Sequence, residues 1–319
     1  MPQLRPGWQT SLTTAAVLLG VVLVAGLAER RRRRIWVATV RAFAGEFTVI
    51  MTLLAVWQFV GGYVHTRVAG AMERGREIAA LQSAWHLPSE QSVQQLVLPH
   101  PWLVRSMDLF YAYAHLNGMA LFVVWFWWRH RDVYPRMRFT VIVSTLACLL
   151  VQIVPVAPPR LLPDLGFVDT ALINGQSVYG EFGTGMANQL AAMPSVHVGW
   201  AALVGWYVWW SAPPRWRWIG PLHTVTTVLV VVATANHWWL DGMVAVGFVA
   251  LAMLAGSGLS GLRRRGFGLG HSAALGLGFG LGAGGGTGTG PKVDAETEPV
   301  LSRPTAEESV VTESALRAD

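Results

Sequence analysis

The sequence predicts an all-α integral membrane protein with about seven transmembrane helices. Of its 319 residues, 53% are hydrophobic and only 13% are charged, against about 25% charged in soluble domains. Apolar runs at 11–28, 43–64, 108–128, 139–156, 196–211, 219–238 and 241–258 each approach the ~20 residues that a membrane-crossing helix needs. Arginines then orient the runs. Clusters at Arg30–Arg34, at Arg129, Arg131, Arg136 and Arg138, at Arg215 and Arg217, and at Arg263–Arg265 all fall on one side if the N-terminus is outside. The net charge of +6 is mostly these anchors, so no nucleic-acid partner is required.

The first run has Arg5 before it and small residues, Gly26 and Ala28, near its end, as a cleavable signal would. Cleavage would leave "ERRRRR" to be translocated, which the positive-inside rule opposes, so the run is expected to stay as a helix. Three regions follow. Residues 1–42 are the N-terminal transmembrane helix and a basic cytoplasmic linker, and 43–260 are a six-helix catalytic membrane domain. Within it, 65–107 is polar enough to sit outside as a re-entrant or interfacial helix. Residues 261–319, glycine-rich and then acidic, bury too little apolar surface to offset chain entropy and are expected to form a disordered cytoplasmic tail. Cys148 is the single cysteine and excludes an internal disulfide.

With this topology, the outward ends of the fourth to seventh runs carry three polar patches. They are "VPVAPPRLLP" with Arg160, "AAMPSVH" with Ser195 and His197, and "ANHWWLDGM" with His237 and Asp241. Singly, each has a plain structural reading: Arg160 as a headgroup-level anchor, His197 as a satisfied interfacial residue, His237 as part of a tryptophan belt. Together they bring an arginine, two histidines and an aspartate to one membrane surface, which suits phosphoryl transfer. Pro194 fits the first helical position, where its missing N–H costs nothing. The helix-start amides and the Ser195 hydroxyl would then hold an anion, and Arg160 would add a planar bidentate donor. His237 and Asp241, at i and i+4, share a face on a continuous helical turn, so the carboxylate would fix the imidazole tautomer and leave a nucleophilic nitrogen. His197 would be the acid that protonates a leaving alkoxide.

These patches resemble the signature of the type 2 phosphatidic acid phosphatase superfamily of membrane lipid phosphatases and phosphotransferases. "PSVH" at 194–197 resembles its Pro-Ser-x-His, and "HWWLD" at 237–241 its His-x-x-x-Asp. The resemblance implies that His237 forms a phosphohistidine, with Asp241 as orienter and His197 as general acid, and that Ser195 and Arg160 bind the phosphoryl group. Departures stand beside it. Ile153 occupies the place of a lysine seven residues before the arginine, Leu161 that of a proline, and Val231 that of an arginine six residues before the histidine. "APPR" and the "NH" of the third patch are similar instead to the inositolphosphotransferase branch, related to inositol phosphorylceramide synthases, which implies transfer to an inositol or sugar hydroxyl.

One further feature fits a polyol acceptor. Asp108, Tyr111 and His115 fall at i, i+3 and i+7, a single helical stripe starting level with the patches; packing between helices is the other reading. The expected function is a lipid phosphotransferase or phosphatase acting at the extracytoplasmic face on a phospholipid or isoprenoid phosphate. Hydrolysis, and a non-catalytic lipid-binding or transport role, are the alternatives. No metal or other cofactor is expected, because no carboxylate cluster reaches that surface.

Overall fold

The computed structural model describes residues 7–31, 35–65, 69–175 and 189–275, and among them every regular element is helical. The chain divides into two compact units, Met1–Gly268 and Leu269–Asp319. Of the second, only residues 269–275 are described, and they are helical. The expected tail therefore lies mostly outside the described residues.

Two long helices open the chain, α1 (Trp8–Arg31) and α2 (Ile35–His65). They pack on one another, pinned by Ser11 Oγ donating to Gln58 Oε1 at 2.8 Å and by the Glu29–Arg41 ion pair at 3.0 Å. Since α2 starts directly after the arginine cluster, the expected boundary at residue 42 falls inside a helix. The polar stretch that follows folds as two short helices, α3 (Ala71–Ala84) and α4 (Glu90–Val97). Ser89 caps α4 by accepting Ser92 N–H at 3.3 Å.

The third run is interrupted. α5 (Pro101–Leu109) begins with proline at its first position, passes through a π-helical turn at Phe110–Ala114 and continues as α6 (His115–Arg129). α7 (Tyr134–Val151) returns across the bundle. On α7, Tyr134 and Arg138 both bind Glu46 of α2, at 2.6 and 2.5 Å, tying the N-terminal pair to the rest. After the short α8 (Thr170–Ile173) come α9 (Val196–Ser211), α10 (Ile219–Ala233) and α11 (Trp239–Leu275).

Five of these stretches are long and apolar enough to cross a membrane: Trp8–Glu29, Ile35–Val64, Pro101–Arg129, Tyr134–Val151 and Trp239–Ser257. This is an all-α membrane protein. The fifth expected span is helical over its expected bounds, 16 residues, whereas the sixth stops at Ala233 after 15 residues, because the chain beyond it, expected to be helical to residue 238, is drawn into the loop of the third patch. α9 and α10 cross closely at a pair of glycines. A Cβ on Gly220 would stand 2.8 Å from Gly205 O, and Thr224 Oγ1 bridges the crossing by donating to Ala201 O at 2.8 Å. Small residues at such a crossing let the backbones approach, which drives association where lipid gives no hydrophobic force. The core below joins Met119, Phe126, Met137, Leu203, Tyr207 and Val249 from four helices.

Candidate active site

The three polar patches come together, joined largely through main-chain atoms. Val156 N–H donates to Leu190 O at 2.7 Å and Ala192 N–H to Val156 O at 3.3 Å, so the first and second patches pair as an isolated parallel bridge. Arg160 N–H donates to Ala235 O at 2.9 Å, joining the first to the third. Ser195 N–H donates to Asp241 O at 3.0 Å, joining the second to the third. Gln152 Nε2 adds a bond to Pro194 O at 3.0 Å. Buried backbone groups need partners, and these loops find them in one another.

Arg160 is buried between two side chains of fixed direction. Its Nη1 donates to Asp169 Oδ2 at 2.7 Å and its Nε to Asn236 Oδ1 at 3.1 Å. A buried guanidinium needs a counter-charge, which Asp169 supplies. Asn236 is itself held, its Nδ2 donating to Thr234 Oγ1 at 2.8 Å. Neither partner stands out in the sequence. Asn236 shows there only as the neighbour of His237, and nothing in the local pattern marks Asp169.

At the second patch, Ser195 rather than Pro194 sets the helix start. Ser195 is the N-cap of α9, its Oγ accepting Val198 N–H at 3.3 Å. The expectation that Pro194 is the first helical residue is thus corrected: a serine capping oxygen outranks the proline signal one residue earlier. Val196 and His197 become the first-turn residues whose amides helix geometry leaves without a carbonyl.

At the third patch the chain reverses through Ala235, a non-glycine residue at φ 56°, and α11 starts only at Trp239. His237 therefore precedes the helix, and the expected continuous turn from His237 to Asp241 is not formed. Asp241 Oδ2 instead accepts Trp238 N–H at 2.8 Å, the return arm of a capping box, and stands 3.4 Å from His237 Nδ1. Nearer to Nδ1, at 2.8 Å, is the carbonyl oxygen of Ala192. A carbonyl only accepts, so Nδ1 carries the hydrogen and Nε2 of the neutral ring holds a lone pair. Among the described residues His237 Nε2 has no hydrogen-bond partner. The nearest orienter is thus a backbone carbonyl of the second patch, with Asp241 behind it.

His197 faces this ring, the two centroids 5.7 Å apart. It is stacked on Tyr111 at 4.5 Å and 23°, with His115 at 4.9 Å. The π turn lies between Asp108 and His115 and changes their register, so the expected single stripe divides. Tyr111 and His115 turn to His197, whereas the Asp108 oxygens accept Thr170 Oγ1 at 2.9 Å and Asn174 Nδ2 at 3.0 Å. Asp108 thereby holds the α8 segment. His223 of α10, which no motif in the sequence marks, lies parallel to His115 at 5.6 Å and 7°. Of the two positions where cations are replaced, Ile153 is 37% exposed and Val231 only 1%. The Val231 carbonyl accepts the N–H groups of Asn236 and His237 at 2.9 and 3.1 Å.

No curated protein and no solved structure gives a significant match. A family model described as the PAP2 superfamily matches residues 76–255, a stretch that runs from α3 into α11 and contains all three patches. The chain belongs to the PAP2 superfamily, whose members are phosphatases and phosphotransferases.

Proposed function

We propose that this protein transfers a phosphoryl unit from a membrane lipid to a hydroxyl acceptor through a phosphohistidine on His237, at the extracytoplasmic face. One observation supports the reading above others: His237 Nδ1 is fixed on Ala192 O at 2.8 Å while Nε2 has no partner among the described residues, and the ring of His197 lies beside that of His237, 5.7 Å between centroids. Nε2 attacks phosphorus, the bond to the lipid oxygen breaks, and His197 gives its proton to the leaving alkoxide. The acceptor oxygen then attacks phosphorus, the P–N bond breaks, and His197 takes the acceptor proton. Arg160, the Ser195 hydroxyl and the first-turn amides of α9 hold the phosphoryl oxygens throughout. Bilayer and lipid phosphate, from a phospholipid or an isoprenoid, are the partners this chemistry needs.

The acceptor is assigned to an inositol-like hydroxyl, with Tyr111 and His115 beside His197 as its contacts. Asp108 is left out, since its oxygens serve Thr170 and Asn174. The test is incubation of purified protein with phospholipids labelled in the headgroup phosphate, with and without inositol, read by mass spectrometry. A new phosphoinositol product supports transfer. Inorganic phosphate alone moves the reading to hydrolysis, and no product from any lipid phosphate rejects it.

A further inference from the structure

Three buried polar side chains outside the patches direct their hydrogen bonds at main chain of the site. Glu90 Oε1 accepts Trp239 N–H at 3.1 Å and Gln82 Nε2 at 2.7 Å. Gln82 Oε1 in turn accepts Leu240 N–H at 2.8 Å. Gln94 clasps Val168 both ways, Nε2 donating to its carbonyl at 2.8 Å and Oε1 accepting its N–H at 3.0 Å. Val168 precedes Asp169, the counter-ion of Arg160. From the same helical pair, Arg74 Nε donates to Pro155 O at 2.6 Å, in the first patch.

The first turn of α11 shows what this accomplishes. Its leading donors are the N–H groups of Trp238, Trp239 and Leu240, which no helical carbonyl can satisfy. Asp241 takes the first, Glu90 the second and Gln82 the third. A carboxylate at this place also meets the positive end of the helix dipole. The start of α11 is thereby filled by protein acceptors. On α9, by contrast, Ser195 Oγ accepts Val198 N–H, and among the described residues no acceptor takes the N–H groups of Val196 and His197, which stay available to an anion. Asp241 sits one residue beyond Leu240, and its carbonyl accepts Ser195 N–H, so a shift of this turn moves both the neighbour of His237 and the cap of α9.

We propose that Glu90 and Gln82 are positioning residues for the phosphoryl transfer described above, on which this inference rests. They fix the first turn of α11, and through it His237 and Asp241, against the phosphate-facing turn of α9. Neither residue touches the reacting atoms. Their effect is on how well the nucleophile is aimed, so it falls on turnover rather than on substrate affinity.

The test uses the full chain, purified in detergent, with Glu90→Ala, Glu90→Gln and Gln82→Ala. Turnover per folded molecule is measured, with inositol present as acceptor, on p-nitrophenyl phosphate and on a diacylglycerol phosphate, and hydrogen exchange is followed in peptides covering 238–242. Glu90→Ala is expected to lower kcat about 10²-fold, the scale of a 1 Å misplacement, equally for both substrates and with KM unchanged. Exchange at 238–242 should quicken. Glu90→Gln should recover both readouts, because an amide oxygen still accepts the two bonds. Undiminished kcat in Glu90→Ala, a loss confined to KM, or Glu90→Gln as poor as Glu90→Ala would each overturn the proposal. If Glu90→Ala does not fold, Gln82→Ala takes its place, with slower turnover and faster exchange expected and wild-type values in both refuting the proposal. A wild-type protein that turns over neither substrate sinks the proposed function, and the exchange comparison still decides whether the brace exists.

Discussion

Arg160 carries more of the site than its single charge suggests. Its Nη1 and Nε are already directed by Asp169 and Asn236, so the plane of the guanidinium is set before substrate arrives. A lysine keeps the charge but cannot reproduce two fixed directions. Arg160→Lys should therefore lower kcat/KM roughly 10- to 100-fold, from about 1.5–3 kcal/mol for a hydrogen bond to a charged group. Wild-type kinetics in that variant would leave Arg160 as a structural partner of Asp169 and Asn236 only. The two histidines should separate by leaving group. His237→Ala should abolish a trapped phosphoenzyme on every substrate, whereas His197→Ala should slow its formation about 10²–10⁴-fold on alkyl phosphates and far less on aryl ones. A phosphoenzyme in His237→Ala would reject the assignment. Ala235 offers a stability readout nearby. At φ 56° a side chain costs about 1 kcal/mol, so Ala235→Gly should melt at or above the wild-type temperature. Ala235→Val, β-branched in the left-handed region, should melt lower.

Among the elements, the α9–α10 crossing is the most exacting. Gly220→Ala would bring a Cβ to 2.8 Å from Gly205 O, a backbone atom that cannot swing away. A loss of about 1–3 kcal/mol follows from such overpacking, seen as a lower melting temperature in detergent. Gly247→Ala on α11 is the control. A Cβ there meets nothing within 4 Å, and alanine is the better helix former by about 1 kcal/mol. Equal melting of the two variants would contradict the close approach. The spans were legible in the sequence because apolar runs in a bilayer have one stable form, and Arg160, Ser195, His197, His237 and Asp241 were legible as a set because polar residues at a membrane edge stand out. The ends of the elements were not. Ser195 and Pro194 compete for the helix start, and the register change at Phe110–Ala114 leaves no local signature. Glu90 and Gln82 are polar residues in polar stretches and Asp169 is a lone acid that no motif marks, so only packing reveals that the first two turn inward and that the third meets Arg160.

For the whole molecule, the proposed sidedness rests on arginine clusters at the ends of helices opposite the site. In a Cys148→Ala background, a cysteine placed at the exposed Ser83 should react with an impermeant maleimide added to intact cells. One placed at the exposed Pro213 should react only after lysis. The reverse pattern would turn the site inward. A different kind of consequence follows from how the three patches are sewn together. The atoms that align them belong mostly to the main chain, at Val156, Leu190, Ala192, Ala235 and Asp241. Side chains around this frame can therefore differ from the superfamily's pattern while the frame keeps its shape, as Ile153 and Val231 illustrate. The two are not equally replaceable: the surface-facing Ile153 has room for a lysine, and the enclosed Val231 has none for an arginine. The frame behaves as a socket whose fittings are exchanged singly, so its preference among phosphate esters can drift without the fold being rebuilt.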